Sequence, residues 1–204
     1  MSAASHDFLS PAPISDSEYT FICKLVYEQS RIRLGPNKRE LVMARLSKRL
    51  RALGFKGYGD YCLLLKTSKG EEEIGDLIDA ISTNHTFFFR ETSHFDFLKN
   101  TILPSLHKSP GQTPRLRIWS AACSTGEEPY SLALLLAQAS AQQKIEWSID
   151  CTDISSRVLK KAQEGIFSAE RLKEVPPAIV DGFFNKIEVD HSPHYQVRDE
   201  LKQR

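Results

Sequence analysis

The chain has 204 residues, 41% hydrophobic and 26% charged, a balance that suits a globular chain of one or two domains and excludes a disordered one. Lys and Arg number 27 against 26 Asp and Glu, a formal net charge of +1, so attraction to an acidic partner has to come from local clustering rather than from a whole-molecule field. The first 15 residues lack a basic start followed by an apolar stretch, and the apolar run from Leu132 to Ala137 is far short of the roughly 20 residues a spanning helix needs, so neither export nor membrane insertion is expected.

Residues 1–13, rich in Ser, Ala and Pro, show no apolar period and read as a loose tail. Ser15 and Glu18 have capping-box spacing, and Tyr19, Ile22, Leu25 and Val26 then recur as one helical face. After a turn at Gly35-Pro36-Asn37, a second helix is expected from Lys38 to Leu53, closed by Gly54. At roughly 100° per residue its Val42, Leu46, Leu50 and Leu53 share a face, beside a stripe of Lys38, Arg45 and Arg49. From Lys38 to Lys56 seven basic residues face one acid, Glu40, which is the clustering the net charge conceals. A third helix near Asp60 to Lys66 and a fourth carrying Ile74, Leu77, Ile78 and Ile81 complete a helical bundle over 14–82.

The segment 82–91, with Phe87, Phe88 and Phe89 between small polar residues and Arg90, breaks the helical period and reads as a joint between two domains, its aromatics wedging packed units together. A helix from Phe95 to Leu106 and a loop from Lys108 to Pro114 follow. The texture then becomes strand (Arg115 to Trp119), helix (Pro129 to Ala139), strand (Ile145 to Cys151) and helix (Ser155 to Glu164, ending at Gly165). That alternation predicts an α/β domain of the doubly wound, Rossmann-like type, with ligands at the carboxyl ends of parallel strands.

Small residues from Ser120 to Gly126 let the loop after the first of these strands approach a ligand closely, and Pro129 suits a first helical turn. With one glycine it is not a dinucleotide fingerprint, and Glu127 and Glu128 would repel a pyrophosphate while accepting a cationic ligand or ribose hydroxyls. S-adenosylmethionine, with ammonium and sulfonium charges and no phosphate, fits better than NAD. Asp153, at the tip of the second strand, stands where this fold places the acid that accepts ribose hydroxyls; the bland reading makes it a helix cap. The four cysteines, Cys23, Cys62, Cys123 and Cys151, form no Cys-x-x-Cys pair and read as reduced cytoplasmic thiols. His191 and His194 have metal-like spacing without further ligands nearby, so no metal is assigned.

Ser124-Thr-Gly-Glu-Glu-Pro-Tyr-Ser131 resembles the cofactor motif of CheR-type chemotaxis receptor methyltransferases. Thr83-Asn-His-Thr-Phe-Phe-Phe-Arg-Glu91 resembles that family's linker motif, the basic stretch 38–54 its receptor-facing helix, and Ile149 to Ser155 its acidic strand end. The resemblance covers almost everything from Ile14 to Arg204. It implies a small all-helical N-terminal domain (14–82), a linker contributing to the cofactor site (83–92) and a Rossmann-like methyltransferase domain (93–204).

The resemblance further implies S-adenosyl-L-methionine as cofactor, contacted by Asn84, Thr86, Arg90, Glu127 and Asp153, with Arg90 also at the catalytic position. Lys38, Arg45 and Arg49 would bind the substrate, the cytoplasmic helix bundle of methyl-accepting chemotaxis receptors, whose glutamate side chains a cytoplasmic, monomeric enzyme would methylate without help from nucleic acid. The family's domain continues through an antiparallel β-hairpin subdomain, an Asn-Leu cofactor contact and a strand carrying a tyrosine set beside the arginine matching Arg90. None is recognisable here, and 194–201 reads as only the opening of that subdomain, so the domain is expected to be incomplete, with an open sheet edge. Two other readings stay open: a non-catalytic cofactor-binding module, and a nucleic-acid methyltransferase using its basic helix on phosphates.

Overall fold

The computed structural model describes residues 12–106, 113–142 and 144–203, so most of the expected tail and of the expected 108–114 loop lies outside the described residues. The chain divides into two compact units, 1–83 and 84–204, each with its own apolar core. None of the helices described is long and apolar enough to cross a membrane.

The first unit is helical. Ser15 and Glu18 do form the capping box that starts α1 (Asp16–Ser30): the Ser15 hydroxyl accepts from Glu18 N at 3.3 Å and Ser15 N donates to the Glu18 carboxylate at 2.7 Å. A short 3₁₀ turn (Pro36–Lys38) leads into α2 (Arg39–Leu53), which Gly54 ends at φ +73° by donating to the last carbonyls. Then come α3 (Tyr58–Leu64) and α4 (Gly70–Ile81). Ile22 and Val26 of α1, Val42, Leu46 and Leu50 of α2, and Leu77 of α4 are all fully buried. Each such side chain contributes about 1.5–3 kcal/mol relative to exposure, so the periodic faces account for the bundle.

In the expected basic stripe of Lys38, Arg45 and Arg49, two of the three residues have partners within the helical unit. Lys38 is exposed, but Arg49 lies against α4, where its Nε donates to Glu73 Oε1 at 2.6 Å and its Nη2 pairs with both Glu73 and Asp76. Glu73 is buried and also accepts from the Tyr61 hydroxyl at 2.9 Å. Arg45 caps the end of α4: Nη1 donates to the carbonyls of Ile81 and Ser82, and Nη2 to Thr83 Oγ1 at 2.9 Å. Two of the three stripe residues therefore have internal partners that a helical wheel of α2 cannot show. A buried carboxylate left without its cation is expensive, so Arg49→Ala is expected to lower stability by about 2–4 kcal/mol in chemical denaturation, whereas Lys38→Ala stays within about 0.5 kcal/mol.

The second unit begins with α5 (Thr92–Phe97), a π-helical turn (Leu98–Ile102) and α6 (Leu103–Ser105), which run on without interruption, so the helix expected over 95–106 is present, begins three residues earlier and carries a π-helical turn. Strand β1 (Arg115–Ala121), helix α7 (Glu127–Gln142) and strand β2 (Glu146–Thr152) follow. Strands β1 and β2 pair parallel from Arg115↔Glu146 to Ala121↔Thr152, as the α/β reading requires. Next is α8 (Ser156–Glu164), capped by the Ser155 hydroxyl and ended by Gly165 at φ +60°.

Beyond Gly165 the structure departs from expectation. Strand β3 (Ile166–Ser168), a 3₁₀ turn (Ala169–Leu172), α9 (Pro177–Phe183), β4 (Phe184–Val189) and β5 (Ser192–Val197) precede α10 (Asp199–Lys202). The three strands form an antiparallel sheet in the order β3-β5-β4. An antiparallel subdomain is thus already built over 166–197 rather than only opening at 194–201. Its hairpin turns at Asp190 and His191, both at positive φ, without the glycine that usually marks such a turn. His191 sits on that turn and His194 on β5.

The aromatic run splits as well. Phe88 is buried, 4.9 Å from Phe167 and 6.1 Å from Phe184, and Phe89 packs edge-on to Phe95 at 5.4 Å, while Phe87 is exposed. Phe88 is part of the second unit's own core, and Phe89 packs beside it, instead of the three acting together as a wedge.

Candidate functional site

In-register parallel pairing ends β1 and β2 at the same level, which brings the turn after β1 against the acidic tip of β2. Cys123 N donates to Thr152 O at 2.9 Å, extending the pairing by one bond. The chain then coils tightly, with Ala122 at φ +63°, Ser124 at +52° and Gly126 at +99°. Within this turn Ser124 N donates to Asp153 Oδ2 at 2.8 Å. Asp153 Oδ1 accepts from Ser155 N at 2.9 Å. Asp153 therefore braces the loop, and the helix cap is Ser155 rather than Asp153; each carboxylate oxygen keeps a lone pair for a further donor.

Gly126 is required by geometry as well as by φ. A Cβ there would stand 3.1 Å from the Cα and Cβ of Ala162 on α8 and from the Tyr130 ring, so the small residue lets α7 and α8 close on each other. Tyr130 completes the contact by donating to Ala162 O at 2.7 Å, and burial pushes its hydroxyl up to about 12. Beneath the loop, Cys123 is buried and its thiol pushed up by the hydrogen bond to Cys151, then by burial.

Glu127, the first residue of α7, is wholly buried. Its Oε2 accepts from Thr125 Oγ1 at 2.6 Å, whereas Oε1 has no hydrogen bond and stands 3.2 Å from Arg171 Nη2. Glu128 is turned the other way, accepting from Ser120 Oγ at 2.7 Å. A buried carboxylate oxygen without a hydrogen-bond donor is rare, and a ligand cation that takes the place of Arg171 beside it would supply one. The chain's residues thus suit an ammonium beside Glu127 and hydroxyls beside Asp153.

The 84–91 segment lies along the same loop. Asn84 O accepts from Ser124 Oγ at 3.2 Å, buried Thr86 gives its carbonyl to Arg171 Nη1 at 2.8 Å, and Phe89 N donates to Ser131 Oγ at 2.9 Å. Phe89 and Glu91 are left-handed, at φ +56° and +59°. Arg90 between them is exposed; its Nη1 donates to His85 O at 2.9 Å and its guanidinium lies 5.8 Å from the Phe87 ring centre. Asn84, Thr86, Glu127 and Asp153 are thus gathered around one loop, with Arg90 on the exposed end of the same segment. Lys38, Arg45 and Arg49 belong to the other unit.

Sequence reasoning missed Arg171, Ser124 and Ser131 as members of the site. Ser124 and Ser131 lay inside the singled-out motif and needed only the left-handed turn to be foreseen. Arg171 bonds a residue 85 positions away, and no short-range pattern announces it. Cavity volume does not mark the site either: a cavity of about 740 Å³ in this unit lies elsewhere, lined by Phe95, Leu103, Leu135 and Ile179.

A small-residue turn leading into a helix with a buried acid, beside an acidic strand tip, in a parallel β-α-β frame, defines an S-adenosylmethionine-binding methyltransferase domain of Rossmann type. The chain belongs to the CheR methyltransferase family: residues 84–204 match the model described as "CheR methyltransferase, SAM binding domain" and residues 17–82 the model described as "CheR methyltransferase, all-alpha domain". It is 39% identical over 193 residues to a chemotaxis protein methyltransferase of Borreliella burgdorferi, covering 93% of this chain and 67% of that protein. Those of Salmonella typhimurium and Escherichia coli are 38% and 36% identical over 188 residues, covering 92% of this chain and 63% of each relative. The chain thus spans about two thirds of the length of these relatives.

Gly126→Ala is expected to destabilise the chain by about 1–3 kcal/mol, combining a left-handed penalty with the close contacts to Ala162 and Tyr130; thermal denaturation monitored by circular dichroism measures it.

Proposed function

We propose that this chain carries the cofactor-binding core of a protein-glutamate O-methyltransferase that moves the methyl group of S-adenosylmethionine onto glutamate side chains of chemotaxis receptors. The observation that carries the reading is the buried Glu127 with its unbonded Oε1, set beside the loop braced by Asp153. The cofactor, when bound, supplies a methyl group made electrophilic by the sulfonium. Glu127 holds the ammonium end, Asp153 accepts ribose hydroxyls, and Asn84 and Thr86 line the site along 84–91. Arg90, exposed and tethered through one of its nitrogens to His85 O, keeps donors for the carboxylate of the incoming glutamate or of the cofactor.

A glutamate is already ionised near neutral pH, so the chemistry needs no general base. What the protein supplies is alignment of a carboxylate oxygen with the methyl carbon, and rigid placement of charge. The strained, hydrogen-bonded loops described above are suited to that.

For the receptor, the charge still available outward is Lys38 at the start of α2 and Lys48 and Arg51 on it, all exposed, with Arg45 and Arg49 acting through the shape of the helical unit. These cations face an acidic helix bundle best at low ionic strength, since surface charges are screened beyond roughly 8–10 Å in physiological salt. Cytoplasmic location and action as a monomer are part of the same proposal.

Three measurements test it. Incubation of this chain, alongside a chemotaxis protein methyltransferase relative as the positive control, with radiolabelled S-adenosylmethionine and receptor cytoplasmic helices is expected to yield base-labile methyl esters. Binding of cofactor with no ester formed at all would instead make this a non-catalytic module. Asp153→Ala is expected to weaken cofactor binding by about 1–3 kcal/mol in calorimetry, and an unchanged dissociation constant would reduce Asp153 to a loop brace. Charge reversal of Lys38 and Lys48 is expected to raise the apparent KM for receptor several-fold at low salt and less at high salt, while cofactor affinity stays as it was.

A further inference from the structure

Arg171 comes from the 3₁₀ turn of the antiparallel subdomain, yet it reaches the core of the cofactor site. Its Nη1 donates to Thr86 O at 2.8 Å and its Nη2 stands 3.2 Å from Glu127 Oε1. Glu127 is wholly buried, with Thr125 Oγ1 its one hydrogen-bond donor, on the other oxygen. Neighbouring Glu128 is directed to Ser120, and Asp153 is occupied with the N–H groups of Ser124 and Ser155, so nearby acids add negative charge and no relief. An ionised carboxylate in such a place needs a cation, and Arg171 is the cation found within salt-bridge distance among the described residues. Yet the pair is a poor hydrogen bond: Oε1 is left without a donor of good geometry. The guanidinium gives its well-formed bond to Thr86 and offers Glu127 mainly its charge.

We propose that Arg171 is the resident counter-ion of Glu127, a positioning residue that neutralises the buried carboxylate while no cofactor is bound and that competes with the cofactor's ammonium for it. The second half rests on the cofactor reading above; the first does not. The subsidiary contact to Thr86 fits the arrangement, because it holds the guanidinium beside the carboxylate without a full hydrogen bond to Oε1, so that an arriving ammonium has only a weakly bonded cation to displace. Side-chain exposure of Arg171 is 41%, so it has room to withdraw toward solvent as another cation enters. Two cations around one carboxylate repel each other, and removal of the resident one therefore has opposite effects on the empty and the loaded protein.

The experiment compares the chain with Arg171→Gln, Arg171→Lys, Glu127→Gln and the double variant Arg171→Gln/Glu127→Gln. Thermal unfolding without cofactor is measured alongside calorimetric titration with S-adenosylhomocysteine, which carries the ammonium but no sulfonium. Arg171→Gln is expected to lower Tm by about 4–8 °C, and the double variant to regain most of it because the orphaned charge is gone. Arg171→Lys, which keeps the charge, is expected to lose less than half as much. Arg171→Gln is also expected to bind S-adenosylhomocysteine about threefold or more tightly, while either variant lacking Glu127 loses affinity. A scaffold role through Thr86 alone predicts that the double variant stays as unstable as Arg171→Gln and that affinity falls together with stability; either result overturns the proposal. If the unmodified chain binds neither S-adenosylmethionine nor S-adenosylhomocysteine, the cofactor reading and the competition fall together, and the unfolding comparison still decides whether Arg171 is the counter-ion.

Discussion

The bond between Ser124 N and the Asp153 carboxylate, 2.8 Å long, is the contact on which the site's geometry depends. It exists because β1 and β2 are parallel and in register, so a turn leaving one strand and an acid ending the other meet at one edge. It also depends on the backbone before Ser124, where left-handed Ala122 turns the chain back toward the second strand. With Asp153 held from the other side by Ser155 N, the loop cannot drift without breaking two charge-assisted hydrogen bonds. Thr125, Glu127 and Ser131 inherit their positions from that anchor, and through Ser131 and Ser124 the 84–91 segment does too.

Features whose cause is local were legible in the sequence. The capping box at Ser15, the αL residue at Gly54, the apolar faces of α2 and α4 and the alternation of β1, α7, β2 and α8 each depend on residues within about ten positions of one another. The antiparallel sheet was not legible, for physical reasons: β3 has three residues, β5 carries a proline, and the hairpin turns on Asp190-His191 where glycine or asparagine would have advertised it. Of the site, Glu127 and Asp153 stood out because their fold position is fixed by the loop between them. Arg171 did not, because its partner Thr86 is a backbone carbonyl, which any residue type would supply.

Charge is the quantity that a one-dimensional reading misjudges most. Seven bases against one acid on 38–56 look like a surplus seeking a partner. In three dimensions the acids arrive from elsewhere: Glu73 and Asp76 of α4 meet Arg49, Asp16 of α1 meets Arg39 at 2.5 Å, and carbonyls at the end of α4 absorb Arg45. The second unit repeats the pattern, with Arg115 on Glu146 at 2.7 Å and Arg117 on Asp150 at 2.6 Å across the parallel strands. A net charge of +1 in such a molecule reflects pairing at many places more than weak charge anywhere. What remains for a partner is the smaller set of lysines and arginines whose side chains reach solvent.

Backbone strain gathers in the two segments around Glu127. Ala122, Ser124, Phe89 and Glu91 are non-glycine residues at positive φ, and with Gly126 they all belong to the two segments that meet over Glu127. Each such residue is disfavoured by about 1–2 kcal/mol, so the conformation persists only because surrounding bonds over-determine it. Those bonds are the ones already named: Cys123 to Thr152, Ser124 to Asp153, Phe89 to Ser131, and Arg171 to Thr86. An unstrained loop would relax outward and let water reach Glu127. The strained one keeps it buried, and in a site poor in water the Glu127 carboxylate and the cation that faces it attract each other far more strongly than they would in water. The helical unit has one such non-glycine residue among its described positions, Arg31, where a left-handed C-cap ends a helix, which is the ordinary use of that conformation. Apart from the hairpin turn at Asp190 and His191, strain in the second unit is therefore gathered in the segments around Glu127, and the bonds that hold those segments also place the carboxylate.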